Sequence, residues 1–140
     1  MKNVRHVNAV YNGKKHRFEL QRGHIAAFEL ALQGSAYAAL QRFVNGEWTF
    51  RDVELTLSFS YDGLSETDAK IARMVREMDS MGLTGSPMMH RTDFTVTKVL
   101  RDKGPAPYAE LAANILAAAL MGLSEEDAVF DDGSLGEAAA

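Results

Sequence analysis

The chain has 140 residues, of which 46% are hydrophobic and 24% charged, and it carries a formal net charge of −4. This length fits one domain with one core, and the composition is that of an ordered globular protein. The lack of cysteine excludes disulfides and thiol nucleophiles, and the negative charge argues against nucleic acid as a partner. With no apolar run of about 18 residues and no export signal, we expect no membrane association and a cytoplasmic location.

Residues 4–20 predict a β-hairpin, because Asn12-Gly13 is a dipeptide that favours a type I′ turn. A two-residue loop places Tyr11 opposite Lys14 and Val7 opposite Phe18. One face of the hairpin is then apolar and should pack on the helices that follow it. That face consists of Val7, Ala9, Tyr11, His16, Phe18 and Leu20.

Two short helices are predicted next, over residues 24–33 and 35–44. Each has apolar residues on one face, so the two helices can bury each other. Gly34 is expected to end the first helix in a left-handed conformation, and Asn45-Gly46 to end the second. The apolar faces are Ile25, Phe28 and Leu32 in the first helix and Leu40, Phe43 and Val44 in the second.

The segment after Trp48 gives two conflicting signals. Thr49 and Asp52 have the spacing of a capping box, which predicts a helix start. From Val53 to Tyr61, however, apolar and polar residues alternate with the period of a half-buried strand. The residues alone leave helix and strand open here.

Residues 64–90 predict a capped amphipathic helix followed by a loop that contains Gly and Pro. The apolar stripe of the helix is expected to pack on the core, whereas the loop is expected to be mobile and able to reach a partner. The stripe is Ile71, Met74, Val75 and Met78, and the loop contains Met88 and Met89.

Residues 92–103 mix helical capping with β-branched residues, so their type stays open. Pro105 and Pro107 suit the first turn of a helix from Tyr108 to Met121. That helix is apolar nearly all round, which predicts a central position. A further capping pattern starts at Ser124, and the acidic residues after Phe130 are expected to fray.

These elements predict an α+β fold in which an N-terminal β-hairpin packs on a small bundle of four to six short helices. We expect a single domain over residues 1–130 and an acidic flexible tail over residues 131–140. The parts of the domain are the hairpin at 4–20, a helical core at 24–61, an inserted helix and loop at 64–90, and C-terminal helices at 92–121.

Candidate sites for chemistry are poorly supported by the sequence. The four histidines lack the spacing of a metal site, and the acidic residues near the C-terminus lack that of a calcium-binding loop. Ser65 and Ser124 stand where helix caps are expected, not in the context of a catalytic nucleophile. We therefore expect no catalytic, metal or cofactor site and no enzymatic activity.

Short motifs lie between Phe18 and Val53, and their residues are Gly23, Ile25, Ala26, Phe28, Glu29, Leu40, Phe43, Gly46, Asp52 and Val53. These motifs resemble the tail-assembly chaperone family of gene transfer agents and siphovirus-like phages, some members of which are labelled tail tube proteins. The closing helix, Tyr108 to Gly122, resembles the same family. The resemblance favours a helix over residues 50–61 and marks residues 64–90 as an insertion.

The resemblance implies a protein that binds the tape measure protein and keeps its apolar segments soluble until tail tube subunits polymerise around it. The alternative is a permanent minor structural protein of the tail or tail tube. Binding to the tail tube protein and homo-oligomer formation are left open. The candidate partner-binding residues are Ile25, Phe28, Leu32, Tyr37, Met88 and Met89.

Overall fold

The computed structural model of the chain describes residues 3–61 and 94–133. In these residues an N-terminal β-hairpin packs against short α-helices, so the predicted α+β class is confirmed. The predicted inserted helix and the loop with Met88 and Met89 lie outside the described residues, as do residues 134–140 of the predicted tail.

Three strands open the chain: β1 (Asn3–Val4), β2 (Val7–Tyr11) and β3 (Lys14–Phe18). The strands β2 and β3 form the predicted hairpin, in which Val7 lies opposite Phe18. Asn12 and Gly13 have φ angles of 53° and 78°, as a type I′ turn requires. The predicted register is therefore confirmed, and the apolar face of the hairpin is largely buried.

Five α-helices lie in the described residues: α1 (Ile25–Leu32), α2 (Ala36–Val44), α3 (Phe50–Ser60), α4 (Phe94–Lys103) and α5 (Ala109–Met121). Short 3₁₀ turns at Arg22–His24 and Ala106–Tyr108 lead into α1 and α5. Pro105 and Pro107 lie at the start of the second turn, where the missing N–H of proline costs little.

The end of α1 differs from the prediction. Gln33, with a φ angle of 60°, is left-handed, and Gly34 is not. The N–H of Gly34 donates to the carbonyl of Glu29, which places the left-handed residue one position earlier, as in a Schellman motif. The end of α2 follows the prediction, because Gly46 has a φ angle of 72° and closes the same motif.

Residues 50–60 form the helix α3, not a strand. Its alternating sequence is compatible with a helix because α3 packs on α1, α4 and α5, so polar positions between the apolar ones are buried too. Thr56 and Ser60 satisfy their hydroxyls within the helix, by donating to the carbonyls of Asp52 and Thr56 at 2.7 and 2.6 Å. Burial on several sides thus hides the helical period that the sequence would otherwise show.

The helix α5, apolar nearly all round, is central, as predicted. It packs against α2, α3 and β2, and its small Ala112, Ala118 and Ala119 are buried among larger apolar residues. Gly104 and Gly122 flank this part of the chain with φ angles of 81°. The open question about residues 92–103 is also answered, because Phe94–Lys103 is helical.

Two C-terminal strands were not predicted: β4 (Leu123–Ser124) and β5 (Val129–Asp131). The strand β4 pairs antiparallel with β1, and β5 pairs parallel with β2, which gives the sheet order β3-β2-β5. The capping pattern at Ser124 therefore forms a turn between two strands and not a helix start. There the hydroxyl of Ser124 accepts a hydrogen bond from the N–H of Asp127 at 3.3 Å, a contact that suits turns as well as helices.

The predicted flexible tail is wrong at its first residues. Asp131 belongs to β5, and the N–H of Asp132 donates to the carbonyl of Val10 at 3.1 Å. The carboxylate of Asp132 accepts from the N–H of Asn12 at 2.9 Å. Main-chain pairing needs no apolar side chain, which is why the acidic composition of this segment did not indicate it.

Aromatic rings join the sheet to the helices. Tyr11 and Tyr108 are almost completely buried, and their ring centroids lie 5.1 Å apart in an edge-to-face arrangement. Phe18 lies 5.5 Å from Tyr11 in the same arrangement, and Phe130 of β5 lies 6.4 Å from Tyr108. These contacts fix the hairpin and the last strand on the N-terminal end of α5.

Candidate functional site

The helical hairpin formed by α1 and α2 contains four of the six predicted partner-binding residues. Phe28 is completely buried, and its ring packs edge-on against Phe59 with 5.7 Å between ring centroids, so it is a core residue. Ile25 and Leu32 are half-buried beside it. Tyr37 points outward and is 58% exposed. The structure therefore places the predicted residues on two sides of the helical hairpin.

Side chains close the turn between α1 and α2. The carboxylate of Glu29 accepts a hydrogen bond from the N–H of Ala36 at 2.7 Å, and the hydroxyl of Ser35 accepts one from Ala38 at 3.0 Å. Both contacts satisfy N–H groups that the start of α2 would leave without partners, and the negative charge suits this end of the helix dipole. The charge of Glu29 is thus engaged within the helical hairpin.

Two arginines tie the helical hairpin to α3. Arg51 donates to the carbonyl of Ala31 at 3.0 Å, at the C-terminal end of α1. Arg42 of α2 donates twice to the carboxylate of Asp52, with N–O distances of 2.9 and 2.7 Å. Only 2% of Asp52 is exposed, so this two-bond ion pair lies at the edge of the core.

The carboxylate of Asp52 also completes the capping box of α3. It accepts from the N–H of Thr49 at 3.0 Å, while the hydroxyl of Thr49 accepts from the N–H of Asp52 at 3.1 Å. Burial alone would raise the pKa of Asp52, but the hydrogen bonds from Arg42 and Thr49 outweigh it and lower that pKa. The hydrogen bond to Asp52 likewise raises the pKa of Arg42.

The exposed residues of the helical hairpin, which we together call the outer face, include no charged side chain. Between residues 25 and 46 the charged residues are Glu29 and Arg42, and both are engaged in the contacts above. Three large apolar side chains are accessible here. They are Leu30, 56% exposed, Tyr37, 58% exposed, and Val44, 76% exposed.

Sequence reasoning missed Leu30 and Val44. Every residue of α1 except Glu29 is apolar, so one face of that helix had to remain outside the core. Val44 was predicted to share the apolar face of α2 because it stands four residues after Leu40, yet it is the last residue of α2 and points away from the core. The signal that could have identified the outer face is the scarcity of charge over residues 25–46.

Groups suited to catalysis or metal binding are scattered over the described residues. Within residues 3–61 and 94–133 there is no group of three or more His, Asp or Glu side chains that could hold a metal ion. His16 packs against the ring of Tyr61 with 5.0 Å between ring centroids, and His24 is exposed. His90 and Ser65 lie outside the described part of the chain.

Comparison with known proteins gives no match for the chain among protein-family models, curated proteins or solved structures. Among the helices of the described ranges, none has both the length and the apolar character needed to cross a bilayer.

Proposed function

We propose that the chain is a tail-assembly chaperone of a phage or gene transfer agent, which binds apolar helices of the tape measure protein in the cytoplasm of a bacterial host and catalyses no reaction. The observation that carries the proposal is the uncharged outer face with its accessible Leu30, Tyr37 and Val44. The resemblance of residues 18–53 and 108–122 to that chaperone family agrees with this role.

The chemistry of the outer face fits an amphipathic helix as its ligand. The cores of protein interfaces are depleted of charged residues and enriched in large apolar and aromatic ones, and helices bind such surfaces through their apolar stripe. Leu30, Tyr37 and Val44 supply this surface on two neighbouring helices. The partner we propose is therefore a helix that would aggregate if its stripe stayed in water.

The expected strength of binding suits a chaperone that must release its partner. Completing the burial of three half-exposed side chains contributes about 3–5 kcal/mol, from which the cost of association is subtracted. Binding through one such face is then weak and reversible, and several contacts along a long helix would be needed to keep it soluble.

The outer face is also held ready for binding. Schellman motifs end both helices, Glu29 and Ser35 cap the start of α2, and the pair Arg42–Asp52 fixes α2 to α3. A partner helix would therefore meet a helical hairpin whose main chain is already ordered, so that the entropic cost of binding falls on the exposed side chains.

Co-expression with a tape measure protein tests the proposal. We expect the wild-type chain to co-purify with it and to increase its soluble yield. Leu30→Asp should reduce the amount of co-purified tape measure protein about tenfold, because a carboxylate would be buried in the contact. Val129→Asp, at a position that is 61% exposed on β5, is the matched control and should have no effect.

Two results would contradict the proposal. One is that wild type and Leu30→Asp retain equal amounts of the tape measure protein, or none. The other is stoichiometric recovery of the chain in purified particles by mass spectrometry, since an assembly chaperone leaves before maturation. The second result would support the alternative, a permanent component of the tail or tail tube.

A further inference from the structure

Two of the five asparagines of the chain are followed by glycine: Asn12 in the turn of the β-hairpin and Asn45 at the end of α2. Asparagine before glycine is the dipeptide most open to spontaneous deamidation, because glycine has no Cβ to shield its main-chain nitrogen from the side-chain amide. By sequence the two dipeptides are equally reactive. The fold, however, holds them in different ways.

Deamidation needs no enzyme and only water as a co-reactant. The main-chain nitrogen of glycine loses its proton and attacks the side-chain carbonyl carbon of asparagine, a C–N bond forms, and the side-chain nitrogen leaves as ammonia. Water then opens the resulting succinimide ring at either of its carbonyls, which gives aspartate or isoaspartate and adds one negative charge. Ring closure requires the ψ angle of the asparagine to rotate, so the local main chain must open first.

The turn at Asn12 resists this rotation. The loop has only two residues, and the pairing of Tyr11 with Lys14 fixes the strands directly beside it. Tyr11 is completely buried against other aromatic rings, so it cannot follow the turn outward. The N–H of Asn12 also donates to the carboxylate of Asp132 at 2.9 Å, which ties the turn to the residue after β5. Rotation about ψ of Asn12 therefore requires the β-hairpin to unpair.

The chain around Asn45 has more freedom. Asn45 and the two residues after it are exposed, and the loop continues to Thr49, the N-cap of α3. Two main-chain hydrogen bonds close the turn, one of 3.3 Å from the N–H of Gly46 and one of 2.8 Å from the N–H of Glu47. The first of these, made by the attacking nitrogen itself, is long. Opening this last turn breaks the two bonds and leaves the packing of α2 and α3 in place.

We propose that Asn45 is a site of spontaneous deamidation in the folded protein, and that the fold protects Asn12 although it has the same neighbour. Only the locally open form reacts, and opening the end of α2 costs less free energy than unpairing the β-hairpin. Asn45 directly follows Val44, so the new charge appears beside the outer face, whose exposed residues carry none. The chain thus contains a reaction that slowly places a negative charge next to its uncharged surface.

Peptide mass spectrometry of the purified full chain tests the proposal. The protein is incubated in mildly alkaline buffer, and samples are digested with trypsin at intervals. Trypsin separates the two sites, since Asn12 falls in the peptide His6–Lys14 and Asn45 in the peptide Phe43–Arg51. We expect the mass increase of deamidation to develop at least about tenfold faster in the second peptide. Fragment spectra assign the change within the first peptide, which also contains Asn8.

The denatured chain is the matched control, because in concentrated urea only the intrinsic reactivity of the two dipeptides remains. There the two peptides should react at similar rates. Asn45→Gln should abolish the change in Phe43–Arg51, since glutamine would have to close a larger ring. Asp132→Ala removes a hydrogen bond from the protected turn and should speed the reaction at Asn12 about two- to fivefold. Equal rates at both sites of the folded chain, a faster reaction at Asn12, or protection of both sites would overturn the proposal.

A consequence for partner binding rests on the proposed function. A carboxylate at position 45 would lose water where a partner helix covers Val44, so Asn45→Asp should retain about threefold less tape measure protein than Asn45→Gln. Deamidation is measured on the chain alone, so the two ideas fail separately. Faster reaction at Asn45 with equal retention by both variants would keep the deamidation site and contradict the contact at Val44. Equal rates at Asn12 and Asn45 with unequal retention would reject the site and leave the proposed function standing.

Discussion

The helical hairpin of α1 and α2 and the two terminal strands β4 and β5 are held in place by different kinds of contact. Side chains hold the helical hairpin, through Glu29 at the turn and the ion pair between Arg42 and Asp52. Main-chain pairing with β1 and β2 holds the terminal strands, together with bonds such as that from the N–H of Asp132 to the carbonyl of Val10. The first region should therefore be sensitive to single side chains, and the second much less so.

The two regions also differ in what they present to solvent. The two charges of the helical hairpin, Glu29 and Arg42, are engaged by contacts within the fold, and its exposed large side chains are apolar. The turn before β5, in contrast, exposes Glu125, Glu126 and Asp127. Charge next to a sheet edge discourages pairing with other chains, while an uncharged helical face permits association. The proposed binding surface accordingly lies on the helical hairpin.

The largest contrast is expected between two phenylalanines. Phe28→Ala in α1 should lower the free energy of unfolding by about 3–5 kcal/mol, because Phe28 is completely buried and loss of its ring leaves a cavity in the core. Phe130→Ala in β5 should cost about 1–2 kcal/mol, since its side chain is only half-buried and the main-chain bonds of the strand remain. Urea denaturation followed by circular dichroism measures both. Equal costs would contradict the difference between the regions.

A second contrast concerns polar contacts. Arg42→Ala leaves the buried carboxylate of Asp52 without its cation and should cost about 3 kcal/mol. Asp132→Ala removes an exposed acceptor from the N–H of Asn12 and should cost about 0.5–1 kcal/mol. Thermal or urea unfolding at pH 7 gives both values, and Asp132→Ala as the more damaging change would reverse the interpretation.

The same ion pair makes stability depend on pH in a defined direction. The pKa of Asp52 in the folded chain is lowered below its unfolded value of about 3.9. The ionised Asp52 therefore contributes its full stabilisation at pH values above the unfolded pKa. This contribution is lost as the pH falls through the lower pKa of the folded chain. The difference in unfolding free energy between wild type and Asp52→Asn should shrink between pH 7 and pH 3. If this difference grew on acidification instead, the stabilising role of the ionised Asp52 would be contradicted.

The parts of the fold that sequence predicts well are those fixed by near neighbours. The hairpin register follows from Asn12-Gly13, and the capping box of α3 spans only Thr49 to Asp52. The strands β4 and β5 pair with residues about 120 positions away, and their short segments have neither alternating pattern nor apolar run. No local signal indicates such a contact, so composition suggested a flexible tail instead.

The candidate site was only partly predictable for a related reason. Periodicity shows that a helix has an apolar face, but α1 is apolar at every position except Glu29, so it does not say which side faces the core. The direction is set by α3, which buries Phe28 against Phe59 and leaves Leu30 outside. Exposure on such a helix is thus a tertiary property.

The smallest expected difference in unfolding free energy has the opposite sign. In this comparison the terminal strands are the more sensitive region. Gly122, between α5 and β4, has φ and ψ angles of 81° and 148°, a region that is essentially restricted to glycine. A Cβ added there would lie 3.2 Å from the Cβ of Asn3, whose main chain is paired in β1. Gly46, after α2, also has a positive φ angle, but an added Cβ would meet nothing within 4 Å.

Gly122→Ala should therefore cost about 2 kcal/mol and Gly46→Ala about 1 kcal/mol, since the second change carries only the backbone penalty of a left-handed residue. Differential scanning calorimetry of the two variants and wild type gives the comparison, with hydrogen exchange of the β1 and β4 amides as a local readout. Faster exchange is expected at these amides in Gly122→Ala alone, because the added methyl group pushes Asn3 away from its partner strand. If Gly46→Ala melts lower and β1 exchanges as in wild type in both variants, the close approach at Gly122 does not limit the pairing of the two chain ends.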